Sequence, residues 1–288
     1  MKKSIIENRE ILHIEDGIHD TNLKSVKIFK TKNYEPKSPL IYDVCLILVL
    51  QGKKIANLAN NSFTFDCDNY LVVPTTLPLE CETYATKEEP FICLLISLDR
   101  KIMYDIIEKL NHDSFKNKDE NSFGIFSDKV TNEIEDVTSK LLDILESKEE
   151  STILSTGVLT ELFYRIAIGK NAKMLHKMFL EENKESKIAK ALKTIHDNYK
   201  DNIDTDTLAR VCDMSVSSFH NHFKKITSHT PLQYIKKIRL TKAKDLLVKY
   251  DYKVVDVADE LGYDNPSHFS RDFKSYFGFS PKEAKASC

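Results

Sequence analysis

Phenylalanines at 269, 273 and 277 recur every four residues, which stacks them on one side of a helix. His268, Ser270, Arg271, Lys274 and Ser275 fall on or near the opposite side. Pro266 suits a first helical turn, because its missing N–H has no intrahelical partner there. Gly278 is a C-terminal stop and Pro281 opens a further helix. The pattern therefore predicts a short helix, apolar behind and polar in front.

The chain upstream has other periods. Between residues 10 and 98, short apolar runs (SVKIFK, LIYDVCLILVL, KKIANLA, SFTF, YLVV, FICLLISL) alternate with turn chemistry at Gln51-Gly52, Asn60-Asn61, Asp66 to Asn69 and Pro74 to Pro78. Strands at such spacing predict a small barrel or sandwich. After Asp99 the texture becomes helical. Val130, Ile134, Val137, Leu141, Ile144 and Leu145 form a stripe at three-four spacing, and STILSTGVLTELFYRIAIGK reads as a second helix. The polar stretch Glu181 to Ser186 marks a boundary between domains at 1–180 and 187–286. Beyond it Ile188, Leu192 and Ile195 share one helical face.

The last hundred residues repeat. Leu208 to Pro231 and Val257 to Pro281 share a plan in which Ala209 matches Ala258, Phe219 matches Phe269, Phe223 matches Phe273, Lys224 matches Lys274 and Pro231 matches Pro281. Each copy is a short helix, a tight turn (Asp213; Gly262) and a second helix with an aromatic back. Those are the parts of a helix-turn-helix, at about 206–227 and 254–277, whose second helix enters the major groove of DNA. Pro231 to Val248 reads as one connecting helix of ~27 Å at ~1.5 Å per residue. Such a rod can set two reading helices about one DNA turn, ~34 Å, apart.

Net charge is −2 over 288 residues, which by itself argues against a nucleic-acid binder. Its distribution argues the other way. Residues from 185 onward carry 18 Lys+Arg against 14 Asp+Glu, and the preceding residues 24 against 30. A basic DNA-facing segment on an acidic partner is the expectation. The longest apolar run, Val44 to Leu50, is far short of the ~20 residues that span a bilayer. Charges also interrupt the N-terminus too early for a signal peptide. A cytoplasmic protein without membrane association is expected, its six scattered cysteines reduced.

LGYDNPSHFSRDFKSYFGFSP, within Ile188 to Ala286, resembles the AraC/XylS transcriptional regulators. The pieces LILVLQGKK and YLVVPTTLP resemble the AraC-type N-terminal regulatory domain. The resemblance implies an α+β chain: an N-terminal cupin-like β-barrel with trailing helices, then an all-α DNA-binding domain of two helix-turn-helix motifs joined by a long helix. It also implies a regulator, an activator in the first instance, with double-stranded DNA and RNA polymerase as partners, a small-molecule effector and a homodimer. Neither enzymatic activity nor a cofactor is expected.

The residues available to DNA are Ser217, Ser218, His220, Asn221 and Lys224 in the first reading helix, and Ser267, His268, Ser270, Arg271 and Lys274 in the second. Arg271 can present its fork to guanine or hold a phosphate, Lys274 suits a phosphate, and Asn221 can pair with adenine. Family members often carry Arg where this chain has Asn221, so the family's site preference does not transfer. The aromatics could stack on bases, but their spacing assigns them to the core. Arg239 falls inside the apolar stripe of its helix and is read as structural, in a partly buried ion pair with an acid of a neighbouring helix.

Val130, Ile134, Val137, Leu141 and Ile144 are candidates for dimerisation; the competing reading packs them on their own barrel. Residues 22 to 98 contain no histidine, so a metal cupin is not expected. Cys45, Cys67, Cys81 and Cys93 would sense electrophiles only with lowered pKa values, and buried, inert cysteines are the commoner arrangement. The expected effector is a non-metal organic molecule bound between about residues 22 and 98. Two alternatives are control by a protein partner without an effector, and a ligand- or electrophile-sensing protein without specific DNA binding.

Overall fold

The computed structural model describes residues 13–58, 61–110, 125–179, 184–250, 252–263 and 265–286. Ten strands come first: β1 (Gly17–Asp20), β2 (Val26–Thr31), β3 (Glu35–Tyr42), β4 (Cys45–Gln51), β5 (Lys53–Leu58), β6 (Asn61–Asp66), β7 (Asn69–Val73), β8 (Leu77–Tyr84), β9 (Phe91–Ser97) and, after helix α1 (Arg100–Lys109), β10 (Phe126–Lys129). They form one antiparallel sheet in the order β1-β2-β9-β4-β7-β6-β5-β8-β3, with β10 against β7. The sheet curls into a half-barrel whose two edges, β1 and β3, do not pair.

Alternation along β4 explains why its apolar run is continuous. Leu46, Leu48 and Leu50 face the helices, while Cys45, Ile47 and Val49 face the inside of the curl, so the strand is buried on both sides. The run read from Leu40 to Leu50 is two strands, broken at Asp43-Val44. Pro78, read as part of a turn, lies in β8 opposite Ile41. β3 itself holds Pro36 and Pro39, which an edge strand with an irregularity between Glu35 and Ser38 tolerates.

Helices α2 (Asn132–Leu145) and α3 (Lys148–Ala167) pack together and on the outer sheet face, followed by α4 (Lys173–Phe179). The stripe expected to dimerise lies here. Ile134, Val137, Leu141 and Ile144 are buried in the chain's own core, and Val130 is half-buried against it. The competing reading describes this surface: sheet and α3 cover the stripe, leaving it no face for a second copy.

The remaining helices are α5 (Lys184–Asp197), α6 (Thr205–Val211), α7 (Val216–Thr227), α8 (Pro231–Lys249), α9 (Val254–Glu260), α10 (Pro266–Phe277) and α11 (Pro281–Ala286). The boundary stretch expected at Glu181 to Ser186 lies partly outside the described residues. One apolar cluster runs from the outer sheet face through α1–α4 into α5, α6, α7 and the first half of α8. Another joins the second half of α8 to α9, α10 and α11. The rod thus buries different faces at its two ends, with Tyr234 and Ile238 in one cluster and Ala243 and Leu247 in the other.

Candidate nucleic-acid interface

The two halves of the repeat are built by the same hydrogen bonds. In the first, Asp213 turns the chain with φ 48° and Met214 N donates to Ala209 O at 3.0 Å. In the second, Gly262 turns it with φ 70° and Tyr263 N donates to Ala258 O, also at 3.0 Å. Ala209 and Ala258 are buried where the paired helices cross, a spacing larger side chains would open. Ser215 caps α7 by accepting from Ser218 N at 3.3 Å, and Asn265 caps α10 by accepting from Ser267 N at 2.7 Å. Both helices end in a left-handed residue, Ser228 and Gly278, whose N–H groups donate 2.8 Å bonds to Lys224 O and Lys274 O.

The aromatic backs are core, as their spacing indicated. Phe219 and Phe223 have ring centroids 5.3 Å apart and Phe269 and Phe273 5.7 Å apart, and all four are fully buried. This fixes the rotation of each helix and turns the polar side outward. Ser217, Asn221, Lys224, Ser267, His268, Arg271 and Lys274 are exposed; Ser218, His220 and Ser270 are half-exposed. Ser270 Oγ donates to Pro266 O at 2.9 Å, leaving its oxygen as an acceptor. His268 stands 3.9 Å from Asp272, which is held by Lys236 at 2.8 Å. Among the described residues, Asn221, Lys224, Arg271 and Lys274 take part in no ion pair or side-chain hydrogen bond.

Arg239 is structural, but its partner is not an acid. Its Nε donates to Tyr199 O at 2.7 Å and an Nη to Asp201 O at 2.9 Å, so it holds the carbonyls that follow α5. The sequence also gave no sign of the contacts joining these helices to the half-barrel. Tyr234, in the first turn of α8, is fully buried; its hydroxyl donates to Thr76 O at 2.6 Å and its ring meets Phe223 edge-on at 5.4 Å. His196 of α5 lies 3.4 Å from Asp43. Lys237 lies over the Tyr276 ring at 5.4 Å, with Glu80 of β8 near both.

Inside the curl is a cavity of about 440 Å³, bordered by Phe29, Leu40, Tyr42, Asp43, Lys54 and Leu95. Lys54 escaped the sequence reading, although strand alternation puts it in phase with Ala56 and Leu58. Burial pushes the Cys81 thiol up to about 11 and Cys93 up to about 12, and raises Cys45 and Cys67 as well. These are the opposite of sensor thiols. Among the described residues no three His, Cys, Asp or Glu side chains are grouped to hold a metal ion.

Residues 22–174 match the family described as the AraC-type transcriptional regulator N-terminus, more than half of the chain. The chain belongs to the AraC-type transcriptional regulators. Residues 208–287 match a helix-turn-helix domain family. The transcriptional activator RhaS of Escherichia coli O1:K1 is 28% identical over 155 residues, 53% of this chain and 54% of RhaS. The chain spans about half the length of the curated relatives it matches. ToxT of Vibrio cholerae strain SCE256 shares the fold: an apo variant aligns with TM-score 0.63 at 12% identity over 93% of this chain and 99% of that one. An unsaturated-fatty-acid-bound ToxT aligns with TM-score 0.61 at 14% identity, over 90% and 93%.

Proposed function

We propose that this regulator reads a bipartite double-stranded DNA site with two helices of one chain, α7 and α10, spaced by the rod α8. The observation that carries this reading is the doubled construction: the same turn hydrogen bond, aromatic back and polar front occur twice. Asn221 and Arg271 are the base-reading residues; Lys224 and Lys274 hold phosphates; Ser217, Ser218, His220, Ser267, His268 and Ser270 complete the two fronts. The α8 rod of 19 residues spans ~28 Å at ~1.5 Å per residue, of the order of one duplex turn.

The protein works in the cytoplasm as an activator that recruits RNA polymerase, a direction supported by its likeness to RhaS. Residues 1–180 form the regulatory domain and 187–286 the DNA-binding domain. An organic effector in the half-barrel biases the DNA-binding half, supported by the cavity and by the contacts of Tyr234 and His196 across the two halves. Such an effector acts only by binding the DNA-competent and incompetent states unequally. A shift assay with a selected site against random duplex, across a salt series, tests the reading. A specific advantage of about a thousandfold or more is expected at physiological salt. Equal affinity for both DNAs would leave a sensing protein without specific DNA binding.

A further inference from the structure

Asp272 is the one acidic residue in either reading helix. A carboxylate there is unfavourable in itself, since both helices approach a polyanion. Its side chain is 13% exposed, and Lys236 of the rod holds Oδ1 at 2.8 Å. That ammonium offsets the charge that would repel phosphates. Oδ2 is turned to the other side, 3.9 Å from His268 Nδ1. All three residues border a cleft of about 510 Å³ between α10 and the rod.

His268 lies four residues before Asp272 and is exposed at the edge of the polar front. Tyr263 flanks it, with ring centres 6.3 Å apart. A carboxylate facing Nδ1 fixes that nitrogen as the protonated one of the neutral ring. The distal Nε2 is then left as an acceptor. In the DNA-free chain 3.9 Å is ion-pair range, and closing it to a hydrogen bond takes a shift of about 1 Å by an exposed side chain. The first reading helix has the opposite arrangement. Ser218 and His222 stand at the matching positions, and His222 Nδ1 donates to Ser218 O at 2.7 Å, which ties that imidazole to its own backbone.

We infer that Asp272 is a positioning residue of the second reading helix. Clamped by Lys236, it aims His268 so that Nε2 accepts from the exocyclic amine of an adenine or cytosine in the major groove. The inference rests on the reading that α10 enters that groove; it adds the base class that His268 reads and the residue that orients it.

The test is the affinity of the full chain for its selected site and for every single-base variant of it. Binding is measured at about pH 8, where an ordinary imidazole is neutral. His268→Ala is expected to lower discrimination about fivefold to tenfold at one base position, next to the position lost in Arg271→Ala. Asp272→Ala should lose the same discrimination and keep that of Arg271. The double variant should lose no more at that position than either single one. Asp272→Asn retains an oxygen for the Nδ1–H group and should keep more of the discrimination than Asp272→Ala. If Asp272→Ala does not fold, Asp272→Asn takes its place in the cycle, with a partial loss alone and none in the His268→Ala background.

A loss in Asp272→Ala that spreads over the whole second half-site makes the carboxylate a structural tie and overturns the inference. Additive losses in the cycle, unchanged discrimination in His268→Ala, or a guanine or thymine preferred at the His268 position overturn it as well. Each of these leaves groove reading by α10 standing as long as Arg271→Ala loses its own position. No loss of discrimination in any of the variants overturns both.

Discussion

Gly262 and Asp213 occupy equivalent left-handed turns, and only one of them is glycine. At Gly262 a Cβ would also come 3.2 Å from Lys200 O. Gly262→Ala is therefore expected to cost about 1–2 kcal/mol in urea melts, from the left-handed conformation and the crowded carbonyl. Asp213→Gly should instead be neutral or stabilising by up to about 1 kcal/mol. A neutral Gly262→Ala would contradict the turn assignment. On the reading face, Arg271→Ala should weaken specific binding by about 1–3 kcal/mol and relax discrimination at one base position. Lys274→Ala should weaken all duplexes alike and reduce the salt slope by about one. The Phe periodicity and the Asp213 and Gly262 turns were legible because they rest on local spacing. Arg239 was legible only as structural, since carbonyls at another helix's end carry no side-chain signature. Lys54 needed the strand register that decides which phase of KKIANL faces inward.

Among the elements, the helices of the repeat were the easiest to read and the proline-bearing strands the hardest. β3 and β8 carry Pro36, Pro39 and Pro78, which in isolation signal turns and are tolerated here by an edge strand and a strand start. The α2 stripe was visible, but amphipathicity says only that something covers it; the partner is α3 and the sheet. Leu141→Glu is accordingly expected to cost about 3 kcal/mol or more by burying an unpaired charge, seen as a lost or strongly lowered melting transition. A folded variant of reduced mass in sedimentation would return the stripe to a dimer interface. Tyr234→Phe keeps the ring against Phe223 and leaves the Thr76 carbonyl without its donor. It should cost about 1–3 kcal/mol in urea melts.

At the scale of the whole molecule, the half-barrel and the helical half share one core and a set of polar contacts. His229, in the turn between α7 and α8, lies in that zone. Burial, aided by the Lys237 charge and opposed by Glu80, lowers its pKa to about 4. Between that value and the unfolded value of about 6.5 the unfolded chain binds the extra proton, so stability rises with pH across this window and is lost on acidification. The drop in urea midpoint from about pH 7.5 to about pH 5 should shrink in His229→Gln; an unchanged drop would remove His229 as a contributor. The central claim, that one chain reads two successive grooves, is tested most directly by base-resolution specificity profiles of Asn221→Ala and Arg271→Ala. Two separate losses of discrimination are predicted, about 10 base pairs apart on the same face of the duplex. Losses at one common position, or at none for either variant, would contradict it.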